Sequence, residues 1–113
     1  MQNLNETITV KIWIDDVRPA PEGYKWIKSV NEAIDFLRVG KWYDDYIVNV
    51  EFFIDIDHDA GDYASDGGDY IKILDWMEKE NMRATFHIHS MNPVGVQNMR
   101  NIIQRNGWKE VRL

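Results

Sequence analysis

Eight aspartates follow two apolar segments of this chain. Asp15 and Asp16 end the first segment, and six more lie within fifteen residues after the second: Asp55, Asp57, Asp59, Asp62, Asp66 and Asp69. Carboxylates at the ends of buried strands repel one another and lose hydration. They are stable together only with a bound cation, a shared proton or access to water. The spacing therefore indicates a metal or phosphate site.

The acidity of the chain is concentrated in those residues. The net charge is -6, from 13 Lys plus Arg and 19 Asp plus Glu. Outside the eight aspartates, 11 acids face 13 bases. We therefore expect no broad nucleic-acid surface, although an acidic site can still process a nucleotide end.

Clustered carboxylates are typical ligands of hard divalent cations. Mg²⁺ or Mn²⁺ binds carboxylates, waters and phosphate oxygens, so either is the expected cofactor. Histidines near the acids make Zn²⁺ or Fe²⁺ an alternative. The predicted metal ligands are Asp15, Asp16, Asp57 and Asp59.

Two histidines and an asparagine add further chemistry. His58 or His89 can act as a general acid or base, because imidazole titrates near neutral pH. Asn92 begins a predicted helix, and the amide groups there form an anion site. Asp55 shares a strand face with Asp57 and is either a supporting group or the true ligand. His87 is read equally as a core histidine or a site residue.

Other polar and aromatic residues have plainer interpretations. Asp62, Asp66 and Asp69 are expected to be solvated loop acids and a helix cap. The tryptophans are expected in the core and at its rim.

Length and composition predict one domain spanning residues 1–113, with 44% hydrophobic residues. No segment approaches the roughly 20 apolar residues of a membrane span, and the polar start from Met1 to Glu6 lacks a signal-peptide core. Cysteine is absent, which excludes disulfides and thiolate metal sites and favours a cytoplasmic protein.

Strands alternate with helices along the chain. Strands are predicted at residues 7–14, 47–56, 84–89 and 110–113, the first part of 47–56 being either a loop or a separate strand. Helices are predicted at residues 29–39, 69–80 and 92–106. The first has a Ser29–Glu32 capping box and stops at Gly40, and the last has Asn92 as N-cap and Gly107 as its stop.

Alternating strands and helices form a parallel sheet with right-handed connections and helices on both faces. Ligands of such sheets bind at the carboxyl ends of the strands. Three segments converge on that edge: Asp15 with Asp16, Asp57 with Asp59, and His89 with Ser90.

Three motifs, in this order, resemble the cyclic-phosphate processing receiver-like family: residues 14–19 (IDDVRP), 57–61 (DHDAG) and 89–93 (HSMNP). The resemblance implies an α/β receiver-like (flavodoxin-like) three-layer sandwich with a mostly parallel central sheet of four to five strands. It also implies a role with cyclic phosphates, in nucleotide signalling or RNA-end processing.

Compared with ordinary receivers, the resemblance places Asp15 and Asp16 at the acidic pair, Asp57 at the phosphoacceptor and Ser90 at the Ser/Thr position. The lysine that ends the last receiver strand is missing, so an aspartyl-phosphate relay is not expected. Arg18 could supply the missing positive charge.

The sequence thus predicts metal-dependent binding or hydrolysis of a cyclic phosphate on a nucleotide or RNA end. His89, His58, Ser90 and Arg18 are the candidate catalytic residues, and Asn92 is the candidate phosphate-binding residue. The alternative is a non-enzymatic receiver-like module that signals through a protein partner.

Overall fold

Five parallel strands form one sheet in the order β2-β1-β3-β4-β5. The computed structural model describes residues 3–113, with side chains from residue 6 onward; Met1, Gln2 and the side chains of residues 3–5, part of the polar start considered above, lie outside that description. The elements are β1 Asn3–Ile14, β2 Lys25–Ile27, α1 Val30–Tyr46, β3 Val48–Ile56, the 3₁₀ helix Gly61–Ser65, α2 Ile71–Lys79, β4 Thr85–Ile88, α3 Pro93–Arg105 and β5 Lys109–Glu110. The predicted receiver-like α/β class with a parallel sheet is confirmed.

One face of the sheet carries the hydrophobic core. Successive strand residues point to opposite faces, and the fully buried strand residues Ile12, Ile14, Ile54, Ile56 and Phe86 share one of them. The connections through α1, α2 and α3 all step in the same direction along the strand order. Right-handed crossovers in one direction place their helices on the same face. The three helices therefore form one layer over this core.

The opposite face is covered differently. The connection from β1 to β2 contains no helix among the described residues. Its Tyr24 instead lies edge-on to Trp13 and Phe53, with ring centroids 6.3 and 6.4 Å apart. A loop therefore covers this face of the sheet, where a three-layer sandwich would have its third layer. The described residues of this face lie outside the core cluster.

The predicted starts of α1 and α3 are confirmed, whereas α2 begins at Ile71 without a side-chain cap and not at Asp69. Ser29 caps α1 by accepting a hydrogen bond from the Glu32 N–H at 3.1 Å, and Glu32 accepts one from the Lys28 N–H at 3.0 Å. Asn92 caps α3 in the same way, through the Gly95 N–H at 3.0 Å. These caps satisfy donors that have no partner within the helix.

Some predicted boundaries were wrong. Helix α1 does not stop at Gly40 but continues to Tyr46. Gly40 serves close packing instead, because a Cβ there would lie 2.6 Å from the Phe52 ring. The short strand β2 was not predicted, and β5 covers Lys109–Glu110 rather than residues 110–113. The first part of 47–56 belongs to β3 from Val48 onward.

No helix among residues 3–113 is long and apolar enough to span a bilayer.

Candidate functional site

The candidate site lies at the point in the sheet where the strand order reverses. From β1 the chain passes to β2 on one side, and from β3 it passes to β4 on the other. Such a switch point opens a crevice at the carboxyl ends of the strands. The main-chain N–H of Asp57 donates to Ile14 at 2.9 Å, and that of His89 donates to Ile56 at 3.0 Å. The ladder thus continues past the strand ends and places Asp15, Asp57 and His89 side by side.

Asp15 is a fully buried carboxylate with three hydrogen-bond partners. Its Oδ1 accepts bonds from the N–H groups of Val17 and Arg18 at 2.9 and 2.8 Å. Its Oδ2 lies 2.9 Å from His89 Nε2. Burial opposes the charged form, but these bonds and the histidine outweigh it and lower the pKa of Asp15 below its usual value. The group is therefore an ionised acceptor near neutral pH.

His89 lies between two carboxylates. Its Nε2 contacts Asp15, and its Nδ1 lies 2.6 Å from Asp55 Oδ1. The ring stacks on Trp13 at a centroid distance of 4.1 Å and an interplanar angle of 6°. Burial disfavours the cation, but hydrogen bonds and charge from Asp55 and Asp15 raise the pKa of His89. Both ring nitrogens can donate only in the imidazolium form, so this geometry is that of a buried cation.

Asp55 organises two histidines from the neighbouring strand. It is 7% exposed, and its Oδ1 lies 2.9 Å from His87 Nδ1 as well as beside His89. The pairing of β3 with β4 sets Asp55 directly opposite His87. Sequence reasoning left both residues open. The sequence did indicate them through spacing. Asp55 lies two residues before Asp57, and His87 lies two residues before His89, so each shares a strand face with a candidate site residue.

The described residues contain a group of side chains that could hold a metal ion. One donor atom each from Asp15, Asp57 and His89 lies within 4.8 Å of the others. Two carboxylates and an imidazole form a mixed oxygen and nitrogen set suited to Mn²⁺, Fe²⁺ or Zn²⁺ as well as Mg²⁺. A carboxylate on the far nitrogen of a metal-binding histidine fixes the ring. Asp55 has that relation to His89.

A second group lies beside the start of α3. It consists of His58, Asp59 and Asp69, whose donor atoms also lie within 4.8 Å of one another. His58 Nδ1 is 2.7 Å from Asp59 Oδ1, and the Asn92 amide lies 3.5 Å from the same nitrogen. The histidine ring packs against Gly95, where a Cβ would lie 2.4 Å from its Cγ. The structure thus divides the predicted metal ligands, with Asp59 belonging to this second group.

The remaining predicted residues lie around these groups. Asp16 approaches Gly61 so closely that a Cβ there would lie 2.2 Å from Asp16 Oδ2, but Asp16 belongs to neither group. Arg18 is exposed and contacts Asp15 through its main chain. Ser90 Oγ accepts a hydrogen bond from the Asn92 N–H at 3.1 Å.

Two of the loop aspartates have structural contacts. Asp66 Oδ2 accepts a hydrogen bond from the Ser29 hydroxyl at 2.6 Å, which ties the loop to the start of α1. Asp69 Oδ1 accepts one from the Ala60 N–H at 3.0 Å. Asp62 is exposed, which agrees with its interpretation as a solvated loop acid.

Tyr70 lies beneath the acidic groups. It is fully buried, and its hydroxyl donates to the Lys28 carbonyl at 2.7 Å. Burial and the charges of Asp16, Asp15 and Asp57 raise the pKa of Tyr70 above its usual range. The phenol therefore stays neutral and acts as a hydrogen-bond donor.

A family model described as the cyclic-phosphate processing receiver domain matches residues 10–105. The matched region contains both candidate metal groups. No curated protein and no solved structure matches the chain.

Proposed function

The chain belongs to the cyclic-phosphate processing receiver domain family, and from that premise we propose that its site binds and hydrolyses a cyclic phosphate on a nucleotide or an RNA end. The observation that carries the proposal is the convergence of Asp15, Asp57 and His89 at the switch point of the sheet. Carboxylates alone repel a phosphate. A site of this composition therefore suits a phosphate only together with positive charge.

The donor set fits a divalent cation. Asp15, Asp57 and His89 would hold it, and Asp16 lies at the same strand end. When bound, the cation would neutralise the carboxylates and polarise a phosphoryl oxygen. Mg²⁺ or Mn²⁺ suits the oxygens, whereas Zn²⁺ or Fe²⁺ gains more from the imidazole.

His89 provides proton chemistry instead where Asp15 and Asp57 hold the cation without it. Hydrolysis of a cyclic phosphate adds water to phosphorus and breaks one ester P–O bond. One proton leaves the water, and one joins the departing alkoxide. His89 Nε2 contacts the Asp15 carboxylate, while Asp55 contacts its Nδ1. An imidazole oriented by a carboxylate is suited to such transfers.

His58 is the second candidate for proton transfer. Asp59 orients its Nδ1 at 2.7 Å, so this pair repeats the relation of Asp55 and His89 at a more exposed place. Asn92, Ser90 and Arg18 are proposed to contact the phosphate. Asn92 lies at the start of α3, where main-chain N–H groups favour an anion.

Paired measurements of metal affinity and hydrolysis test the proposal. Wild-type protein is assayed with cyclic nucleotides and 2′,3′-cyclic phosphate RNA ends in Mg²⁺, Mn²⁺ or Zn²⁺. If His89 transfers protons, His89→Ala lowers turnover by about 10²- to 10⁴-fold with metal affinity retained; if it is a ligand, both fall together. His87→Ala is the matched variant, and His58→Ala tests the second candidate. No turnover of any substrate by the wild type would contradict hydrolysis.

One observation favours the non-enzymatic alternative. Trp42, Tyr43 and Tyr46 form an exposed ring cluster on α1, each between 47% and 57% exposed. Exposed aromatic clusters are typical of protein-binding surfaces. Cyclic-phosphate binding without turnover, together with loss of a protein partner in Trp42→Ala, would support a module of this kind.

A further inference from the structure

A lysine and two aromatic rings lie beside the carboxylate site, at the end of β2. Lys28 Nζ is 4.3 Å from the Trp26 ring centroid and 5.9 Å from that of Tyr63. Lys28 follows β2 directly, and β2 pairs with β1, whose end carries Asp15. The three side chains therefore form a rim at the sheet edge that carries Asp15.

The main chain around these side chains is held rigidly to the site. Trp26 Nε1 donates to the Asp15 carbonyl at 2.8 Å. The Lys28 N–H donates to the Glu32 carboxylate at 3.0 Å, and the Lys28 carbonyl accepts from the Tyr70 hydroxyl at 2.7 Å. Trp26 is thus tied directly to Asp15, and the main chain of Lys28 is tied to Glu32 and Tyr70.

The Lys28 ammonium is not neutralised by the acids around it. Among the described residues its ammonium contacts the two rings but forms no ion pair with a carboxylate. A cation–π contact between two half-buried side chains such as Lys28 and Trp26 is weaker than a charge-assisted hydrogen bond to phosphate. A phosphate anion can therefore draw the ammonium away, which uncovers the face of the Trp26 ring.

The two rings are accessible rather than part of the core. Trp26 is half-buried and lies outside the core cluster, and Tyr63 is 39% exposed. Aromatic side chains beside a cation bind nucleotides, because bases stack on the rings while the cation meets the phosphate. A cyclic phosphate of a polyol would bind the Lys28 ammonium but has no base to stack on the rings.

We infer that Trp26, Lys28 and Tyr63 form a nucleotide subsite, in which the ammonium binds the phosphate and the rings stack the base. The inference rests on the proposed function and assigns recognition of the substrate's nucleobase to the rings of Trp26 and Tyr63. It also adds the Lys28 ammonium to Arg18 as a positively charged side chain for the phosphate, although the final strand ends without a lysine.

Affinity measurements with two probes test this subsite. The probes are uridine 2′,3′-cyclic phosphate and methyl riboside 2′,3′-cyclic phosphate, which lacks the base, both titrated in Mg²⁺. Wild-type protein is expected to bind the nucleotide about 5- to 100-fold more tightly, the range of one base–aromatic stack. Tyr63→Ala, an exposed and therefore well-tolerated change, is expected to reduce that difference, because only the Trp26 ring is then left to stack. Lys28→Met is expected to weaken both probes by about tenfold or more.

A control variant separates these effects from a general change in charge. Lys109→Met removes an exposed lysine at the opposite edge of the sheet and is expected to bind both probes like wild type. Equal wild-type affinity for the two probes, or equal losses of both in Tyr63→Ala, would refute the subsite and leave the proposed function standing. Failure of the wild type to bind either probe would refute both.

Discussion

His89 has more partners than a metal-binding histidine needs. Its two nitrogens face Asp15 and Asp55, and its ring lies flat on Trp13. Two buried carboxylates without a cation between them would be strongly destabilising. In the metal-free protein the imidazolium therefore fulfils the role that the clustered aspartates require of a cation.

The stability of the metal-free protein should consequently depend on pH through His89. The pKa of His89 is raised above 6.5, so its stabilising contribution is complete below about pH 6.5 and is lost as pH rises through the folded-state pKa. The pKa of Asp15 is lowered below 3.8, so its contribution is complete above about pH 3.8 and is lost as pH falls through the folded-state value. We expect highest stability between these limits.

Urea unfolding in EDTA at several pH values measures this dependence. His89→Gln should lose about 3–5 kcal/mol near pH 6, because two buried carboxylates then lack their cation, and should no longer lose stability above pH 6.5. His58→Gln, whose ring lies in the other group, is the control. An alkaline slope that persists in His89→Gln would assign that slope to another residue.

Metal binding at Asp57 gives a second prediction for single residues. A cation at a hundredfold excess over its dissociation constant stabilises by about 2.7 kcal/mol, which corresponds to a rise in Tm of about 10 °C. Asp57→Asn should abolish this rise. Asp62→Asn should retain it, and it is a better control than a change at Asp66, which bonds Ser29. A wild-type melt unchanged by millimolar Mg²⁺, Mn²⁺ or Zn²⁺ would contradict the metal site.

At the scale of elements, the start of α3 and the loop after β3 fit each other through Gly95. Alanine in place of a helical glycine ordinarily stabilises by up to about 1 kcal/mol. Here a Cβ would lie 2.4 Å from His58 Cγ, and forced overpacking costs about 1–3 kcal/mol. We therefore expect Gly95→Ala to destabilise the fold and displace His58 from Asp59.

Denaturation of the double variant Gly95→Ala, His58→Ala tests whether contact with the His58 ring causes the loss of stability. In the His58→Ala background the ring is gone, so Gly95→Ala should become neutral or stabilising by up to about 1 kcal/mol. Equal destabilisation in both backgrounds would show that the cost arises within the helix.

The elements were predictable where the signal is local. The caps at Ser29 and Asn92 depend on residues three apart, and their helices begin as expected. The predicted helix end at Gly40 was wrong because this glycine serves packing against Phe52, which lies on a different element. The short strand β2 has too few residues for a pattern, and the packing of Tyr24 on Trp13 and Phe53 depends on residues distant in sequence.

The candidate site was predictable to the same degree. Asp15, Asp57 and His89 converge because the carboxyl ends of parallel strands meet at one edge, which the order of elements already implied. The partnership of Asp55 with two histidines depends on strand register, and the rim formed by Lys28 depends on β2. Neither is accessible without the fold. That the chain forms a single domain and is cytoplasmic remains a prediction.

The whole molecule lacks one feature of a phosphorylation relay. Strand β5 ends at Glu110, whose carboxylate pairs with Arg100 at 2.8 Å, so an acid stands at the strand end where ordinary receivers place a lysine. We expect that acetyl phosphate gives no lasting aspartyl phosphate at Asp57. Intact-mass detection of a stoichiometric, base-labile adduct absent from Asp57→Asn would instead favour a signalling receiver.

The central claim is that one site at the sheet edge brings a divalent cation and a cyclic phosphate together. Phosphorus-31 NMR relaxation of uridine 2′,3′-cyclic phosphate, with substoichiometric Mn²⁺ and protein, tests it directly, because Mn²⁺ relaxes a phosphorus nucleus only when it is close by. We predict that wild-type protein increases the relaxation rate well above that of Mn²⁺ and nucleotide alone, and that Asp57→Asn does not. A wild-type relaxation rate equal to that of the protein-free mixture, or an enhancement unchanged in Asp57→Asn, would contradict the account.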